Sequence, residues 1–344
     1  MKRNILLGLV IVSMLGLSAM DAYAGDKKRR GTAGASQLLI PVTARNASLG
    51  SSATSGLNDL MGLEAIYSNP AGLVNTQGTG AIFSRMEYVA DIGVNYFGVA
   101  QNFGQSSLAF TVTSWDFGAI PKQTETSPEV SSVTYDASFV TAGLTYARQF
   151  TDRIAAGATL KVVTESIDDV SGSAVAVDAG MTYVVGESGL RLGVSLKNIG
   201  TELSYSGVGL TRQTRIPGQA PDATNNALVI ESEGVELPSL LNFGVAYTRE
   251  MGAGALVTVL GNFRSNSFDQ DQYSGGIEVN LFEMLDLRGG FEVIPDQDLS
   301  MFTGANFGAG LNVEFGGTML HLDYAYRATD FFDNVQMFTL GVDL

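Results

Sequence analysis

The sequence contains no cysteine, one histidine and one tryptophan. Without cysteine the chain forms no disulfide, so its folded state must depend on packing and on backbone hydrogen bonds. The single histidine, His321, cannot assemble a zinc site without cysteine or further histidine partners. The motifs of serine hydrolases and of phosphate-binding loops are absent as well. We therefore expect no catalytic centre, no cofactor, no metal-binding residue and no enzymatic activity.

Charge is scarce in this chain, and most of it is negative. Charged residues make up 16% of the sequence, against about 25% in soluble domains, and the net charge is −15. Neutralising phosphates requires lysine and arginine, so the composition argues against a nucleic-acid partner. The one basic run, Asp26 to Arg30, directly follows a predicted cleavage site. That position favours a solvated tail over a binding patch.

The first residues have the pattern of a secretory signal peptide. Lys2 and Arg3 precede an apolar stretch from Ile5 to Leu17, and the small-residue site Ala22-Tyr23-Ala24 is followed by Gly25. The apolar stretch is shorter than the ~20 residues that a transmembrane helix needs. We assign residues 1–24 to a signal peptide, and we expect the mature chain to begin near Gly25.

From residue 81 onwards a helical period is missing, and apolar residues alternate with small or polar ones instead. In "GLRLGVSLKNIG", for example, Leu192 and Val194 fall on one face and Arg191 and Ser195 on the other. Many of these runs reach ten residues, close to the ~9–11 that cross a bilayer at a tilt. The sequence therefore predicts an all-β fold, a transmembrane antiparallel β-barrel of fourteen strands, at 81–89, 91–103, 106–117, 136–150, 153–165, 174–185, 189–199, 240–250, 254–265, 271–281, 285–293, 303–315, 317–326 and 335–344.

The connections between the predicted strands alternate in length. Those after even-numbered strands are short, and those after odd-numbered strands are longer, except for the first hairpin. Outer-membrane barrels combine short periplasmic turns with longer outside loops. This pattern predicts an outer-membrane protein of a Gram-negative-type bacterium, with both termini periplasmic and the connection from Gly200 to Ser239 outside. That connection is either a partner-binding surface or a cover for the barrel mouth.

Charged side chains alternate away from the apolar face of the predicted strands. An arginine or lysine facing lipid at the bilayer midplane costs about 2–4 kcal/mol, so these groups are expected to line the lumen. We expect outer-membrane lipid to contact the opposite face. The aromatic residues Tyr324, Tyr326, Phe331 and Phe332, with Trp115 and Phe117, fit an interfacial girdle better than a ligand site. The predicted lumen-facing polar residues are Lys161, Asp178, Arg191, Lys197, Glu278, Asp286, Arg288, His321 and Asp323.

The segment before the barrel carries a motif of its own. Ala44-Arg45, Leu49-Gly50 and Asn69-Pro70-Ala71-Gly72-Leu73 resemble the N-terminal signature of PorV/PorQ outer-membrane proteins, which are related to FadL-like fatty-acid transporters. The resemblance implies an N-terminal tail and partly helical plug at residues 25–80, and a barrel at residues 81–344. Asn69, Pro70, Ala71 and Gly72 are then either a turn after a helix from Leu57 to Tyr67 or part of a lumen plug.

The resemblance implies two functions of different classes. The PorV/PorQ branch implies a part in type IX secretion or surface attachment, with secreted cargo proteins or other secretion components as partners. The FadL-like branch implies transport of hydrophobic small molecules such as long-chain fatty acids. A carrier of hydrophobic molecules should have an apolar pocket, whereas the assigned inward positions are Thr, Gly, Ser, Asn and charged residues. The sequence therefore favours the secretion role.

Overall fold

Fourteen antiparallel strands form a closed barrel around an N-terminal plug. A computed structural model describes residues 27–57, 60–123, 133–215, 218, 224–252, 254–295 and 301–344. Neighbouring barrel strands along the chain pair with one another, and the first strand pairs with the last from Gly80↔Asp343 to Glu87↔Gln336. The predicted fold class is confirmed.

The strands follow one another in chain order. Those of the barrel are β1 (Thr79–Glu87), β2 (Gly93–Asn102), β3 (Ser106–Pro121), β4 (Thr134–Thr151), β5 (Ile154–Ile167), β6 (Val170–Val185), β7 (Leu190–Gly200), β11 (Leu240–Glu250), β12 (Ala255–Asn266), β13 (Gln272–Leu281), β14 (Leu285–Val293), β15 (Phe302–Phe315), β16 (Thr318–Thr329) and β17 (Val335–Asp343). Among its described residues, the connection between β7 and β11 contains the short strands β8 (Ser204–Ser206), β9 (Thr211–Thr214) and β10 (Asn226–Val229).

The two ends of the barrel differ in the length of the connections between strands. At one end, here called the turn end, the connections are short, as at Gly316 and Gly317, whose φ angles of 62° and 85° suit a two-residue hairpin turn. The opposite end, here called the loop end, carries the connection between β7 and β11. The strands β3 and β4 also continue further toward the loop end than predicted, and they pair there after a register shift between Asp116 and Ala119.

Opposite faces of the strands have different chemistry. The outward side chains of Leu144, Leu160 and Leu322 are 50%, 51% and 53% exposed. Their strand neighbours Thr145, Lys161 and Asp323 are buried against the interior. The barrel therefore has an apolar outer surface and a polar inner wall, as expected for a barrel that contacts lipid. In the part of the chain described, no helix has the length and apolar character needed to span a bilayer.

The interior holds residues 44–75, here called the plug, which lie below an extended segment at residues 27–43, here called the arm. The arm contains 3-10 turns at Lys27–Arg29 and Ser36–Leu39, and the plug contains helices α1 (Ala44–Ser48) and α2 (Gly62–Ser68) and 3-10 turns at Ala53–Ser55 and Pro70–Asn75. Two further 3-10 turns, Val89–Asp91 and Val208–Leu210, lie in loop-end connections. Helix α2 begins at Gly62, five residues later than the helix predicted from Leu57 to Tyr67.

The two ends of the described chain lie at opposite ends of the barrel. At the turn end, the backbone N–H of Thr79 donates to the carbonyl oxygen of Leu344 over 3.2 Å. The arm instead begins at the loop end, where the backbone N–H of Gly34 donates to Glu236 over 3.0 Å. The prediction that both termini are periplasmic stays a prediction, because residues 1–26 lie outside the described part of the chain. The even number of strands places the two chain ends of the barrel on one side, but it carries no information about the path of the residues before β1.

Candidate functional site

The plug contacts the barrel wall where inward-facing positions are glycine. A Cβ atom on Gly157 would lie 2.6 Å from the carbonyl oxygen of Pro70, and one on Gly244 would lie 2.7 Å from the amide nitrogen of Ser55. Such distances are shorter than any van der Waals contact, so only glycine admits the plug backbone this closely. Gly193, Gly276 and Gly290 also meet the plug backbone, and Gly180, Gly308 and Gly341 meet plug side chains.

Asn69 joins the plug to two neighbouring strands. Its side-chain amide donates to the carbonyl oxygens of Met181 on β6 over 3.1 Å and Val194 on β7 over 3.3 Å. The same amide donates to Thr54 within the plug over 2.8 Å, and its oxygen accepts the N–H of Ala71. The structure thus places Asn69 at a docking point, and Pro70, Ala71 and Gly72 in the 3-10 turn that follows it.

On the other side of the lumen, a buried ionic network holds the plug. The guanidinium of Arg45 on α1 donates to both carboxylate oxygens of Glu278 on β13, over 2.9 and 2.8 Å. Arg288 on β14 donates to Glu278 over 2.7 Å, to Asp286 over 2.8 Å and to Asp323 on β16. These side chains are at most 5% exposed. Removing one partner of such a network costs about 3–5 kcal/mol, so it anchors the plug firmly.

The carboxyl group of Glu64 lies beside this network. This residue belongs to α2, is fully buried, and neither carboxyl oxygen has a partner among the described residues. Burial raises the pKa of Glu64 to about 8, and the negative charge of Asp323 acts in the same direction. The carboxyl group is therefore largely protonated at neutral pH.

A second polar group lies across the lumen on β5, β6 and β7. Lys161 donates to Asp178 over 2.8 Å and to the side chain of Asn198 over 2.5 Å. Asn198 has a φ of 60° at a break in the β6–β7 register, so two consecutive residues, Lys197 and Asn198, are buried toward the lumen. Strict alternation in the sequence gives no sign of this bulge, and Asn198 was not predicted as a site residue.

Lys197 connects this polar group to the plug. Its Nζ donates to the carbonyl oxygen of Tyr67 and lies 4.0 Å from the centre of the Tyr67 ring. Tyr67 in turn donates its hydroxyl to Leu39 of the arm over 2.6 Å. In the part of the chain described, no carboxylate lies within ion-pair distance of Lys197. Its direct contacts are instead the carbonyl oxygen and the aromatic ring of Tyr67.

A cavity of about 80 Å³ lies between the arm and the plug, enough for several water molecules. The arm contributes Leu38 and Ile40 above it, and the plug contributes Ile66 and Tyr67 below it. Gln37 and Val42 of the arm also line the cavity, and the barrel wall contributes further residues, which include Tyr96, Thr111, Trp115, Lys161, Asp178 and Lys197. The cavity thus joins an apolar side to a side that bears two lysines and one aspartate.

The apolar lining explains why sequence reasoning missed this cavity. Four apolar side chains come from residues before β1, and strand alternation does not place those residues. The sequence predicts Trp115 in an outer girdle, but Trp115 faces inward, is 4% exposed and packs edge-on against Tyr88. Phe117 also faces inward, where it packs on Phe139. The expectation of a lumen without an apolar pocket is therefore wrong.

Two other predicted lumen residues lie near the turn end. Arg191 donates to the carbonyl oxygen of Leu57 over 2.9 Å and borders a second cavity of about 210 Å³. The plug residues Gly72 and Val74 face that cavity. His321 contacts Asn312 over 2.7 Å and lies 3.4 Å from Asp343. The plug section between Tyr67 and Gly72 therefore separates the upper cavity from the turn-end cavity.

No family model matches the chain, and no curated protein matches it. Solved structures of similar fold include the Pseudomonas putida toluene transporter TodX, with a TM-score of 0.51 and 14% identity over 88% of this chain and 98% of that one. A Pseudomonas aeruginosa FadL homologue gives 0.51 and 10% over the same shares. The CymD monoaromatic hydrocarbon channel gives 0.52 and 12%, over 88% and 97%. At these identities the likeness shows a shared FadL-like fold.

Proposed function

We propose that this protein is an outer-membrane channel for hydrophobic small molecules, with the cavity between arm and plug as its binding site. The main support for this proposal is the lining of the cavity, which combines apolar side chains of the arm and plug with lysines of the wall. The predicted signal peptide and the apolar outer surface support an outer-membrane location. The fold shared with hydrocarbon channels supports transport rather than catalysis.

The charges at the cavity favour a ligand with an acidic head group. Lys161 is neutralised by Asp178, whereas Lys197 has no carboxylate partner among the described residues. A carboxylate placed near Lys197 would form a charge-assisted hydrogen bond in a site largely closed to water. The apolar tail would lie against Leu38, Ile40 and Trp115. A long-chain fatty acid has both parts, and a part of the tail must displace the arm because the cavity is small.

The motif Asn69 to Gly72 would control passage. It lies in the plug section that separates the two cavities, and Asn69 fixes that section to β6 and β7. Lys197 holds the same section through the carbonyl oxygen of Tyr67. A bound carboxylate competes for this ammonium group, so ligand binding would weaken the hold on the plug. The loop end would face outward and the turn end the periplasm.

A role in type IX secretion rests only on the sequence resemblance to PorV/PorQ proteins. The structural likenesses favour the FadL-like alternative, and the apolar cavity removes the reason for which the sequence favoured secretion. Affinity purification from native membranes, followed by mass spectrometry, separates the two functions. We expect co-purified fatty acids or other hydrophobic molecules. Stoichiometric recovery of secreted surface proteins without bound lipid would contradict the proposal.

A further inference from the structure

The basic run after the signal peptide contacts the loop end of the barrel through its two arginines. Arg29 pairs with Glu236 over 3.0 Å, and its guanidinium carbon lies 3.9 Å from the ring centre of Phe268. Arg30 pairs with Asp269 over 2.7 Å and donates to Gln270 over 2.9 Å. These contacts reach two separate connections, β7–β11 and β12–β13. The expectation of a solvated tail is therefore wrong for Arg29 and Arg30.

Residues further along the arm cover the upper cavity. Gln37 donates to Glu165 on β5 over 2.8 Å, and Leu38 packs on a cluster that includes Leu203 and Leu237 of the β7–β11 connection. Gln37, Leu38 and Ile40 also line the cavity from above. The arm thus lies between the loop end and the proposed binding site.

The arm and the plug are held by contacts of different strength. The side chains of the pairs Arg29–Glu236 and Arg30–Asp269 are 37% to 58% exposed. The plug pair Arg45–Glu278 is 4% and 5% exposed. Exposed ion pairs are weak and are screened by salt, whereas breaking a buried pair is strongly unfavourable. The end of the arm at Arg29 and Arg30 is therefore released more readily than the plug, and the buried hydrogen bond from Gln37 to Glu165 holds the section behind it.

We propose that the arm, held by Arg29 and Arg30, is a gate that opens the upper cavity toward the loop end while the plug stays closed. The role of the gate depends on the proposed function, because the molecule it would admit is the hydrophobic ligand. Its existence is independent of any ligand, because it requires only that the cavity becomes accessible when the two ion pairs break. A molecule could then enter the cavity before the plug below it moves.

Thiol labelling in intact cells tests the gate without a ligand. The chain has no native cysteine, so Thr113→Cys, on the cavity wall, provides a single reporter for a bulky, charged maleimide that does not cross the outer membrane. Adding Arg29→Glu and Arg30→Glu should accelerate labelling about 3- to 10-fold, as expected for the loss of two exposed ion pairs. Reversing the partners as well, with Glu236→Arg and Asp269→Arg, should restore slow labelling.

A matched control is Lys122→Glu in the same Thr113→Cys background. It breaks the pair Lys122–Asp168, which has similar side-chain exposures of 42% and 38% and does not involve the arm. Its labelling rate should equal that of the parent. The parent alone should label faster at high salt, so the test does not depend on assembly of the charge-reversal variants. Equal labelling of parent and arm variant, or no salt effect in the parent, would overturn the gate.

A disulfide between the arm and the β7–β11 connection should keep the gate closed, whereas the charge reversals should open it. A Cβ atom on Gly34 would lie 3.5 Å from Cβ of Val235, within the range of a disulfide, so Gly34→Cys with Val235→Cys should lock the arm. Oxidation should slow fatty-acid entry at least about 3-fold, and reduction should restore it, whereas each single cysteine should be insensitive. Unchanged entry after complete crosslinking would overturn the gate. If neither redox state binds fatty acid, the proposed function fails, and the labelling rates still decide the gate.

Discussion

Lys197 on β7 donates a hydrogen bond to the carbonyl oxygen of Tyr67, so one ammonium group contacts both the plug and the cavity above it. Tyr67 extends the connection to the arm through Leu39. Three parts of the molecule, the wall, the plug and the arm, therefore meet at these two residues. A ligand head group that binds Lys197 would alter the same contacts that keep the plug closed.

Asn69→Ala should loosen the plug. The change removes the hydrogen bonds to Met181 and Val194, and each buried carbonyl that loses its donor costs about 1–3 kcal/mol. Planar-bilayer recordings should show open-channel events that are absent from the wild type. Asn95→Ala is the control, because the side chain of Asn95 accepts a hydrogen bond from Arg85 and lies on the outer wall, away from the plug. Identical recordings for both variants would contradict a docking role of Asn69.

Gly157→Ala should displace the plug. The new methyl group would meet the carbonyl oxygen of Pro70 at 2.6 Å, a contact that forces the plug or the strand to move. Overpacking of this kind typically costs about 1–3 kcal/mol. Limited proteolysis should cut residues 44–75 faster than in the wild type. Gly289→Ala is the matched control, because the nearest atom of the described residues, Cγ2 of Ile277, is 4.0 Å from its new methyl group. Equal proteolysis of both variants would mean that wall glycines do not position the plug.

Docking of the plug should weaken as pH rises. The pKa of Glu64 is about 8 in the folded state against 4.5 in the unfolded chain, so between these values the folded state holds the extra proton. Stability contributed by the neutral carboxyl is therefore present at low pH and is lost as pH rises through about 8. Hydrogen exchange in residues 44–75 should become faster between pH 6 and about 9 in the wild type.

Glu64→Gln is neutral at every pH and should make exchange in the plug almost independent of this ionisation, after correction for intrinsic exchange rates. The plug of this variant should be the better protected one above pH 8. If the wild type and the variant show the same pH profile, Glu64 is not the titrating group. A loss of protection in the variant at low pH would indicate a hydrogen bond of the acid that glutamine cannot replace.

The barrel could be predicted from the sequence because its signal is local. A polar lumen and an apolar exterior impose a two-residue period on every barrel strand. The barrel strands are nine to eighteen residues long, so each contains several repeats of this period. Strand ends therefore agree within a few residues, as at Leu240–Glu250 and Leu285–Val293. The sequence does not predict the short strands β8 to β10, because three or four residues are too few to show this alternation; β8 pairs with β6, and β9 pairs with β10.

The candidate site could not be predicted because its contacts join distant parts of the chain. Gln37 contacts Glu165, and Arg45 contacts Glu278, across 128 and 233 residues of sequence. Asn198 points into the lumen because of the bulge in the β6–β7 pairing, which the sequence does not predict. The sequence also does not show that Lys197 contacts Tyr67. The sequence could identify the types of side chain in the lumen. Which of them meet the arm and the plug depends on the path of residues 27–75.

The binding of oleate to the purified protein tests the central claim most directly, when compared with binding of uncharged oleyl alcohol. Wild-type protein should bind oleate at least about 10-fold more tightly, because a hydrogen bond to a charged group contributes about 1.5–3 kcal/mol. Lys197→Met should lose that preference and keep oleyl alcohol binding, whereas Lys122→Met should behave as the wild type. Saturable oleate binding that is unchanged in Lys197→Met, or no saturable binding of either ligand, would contradict the account.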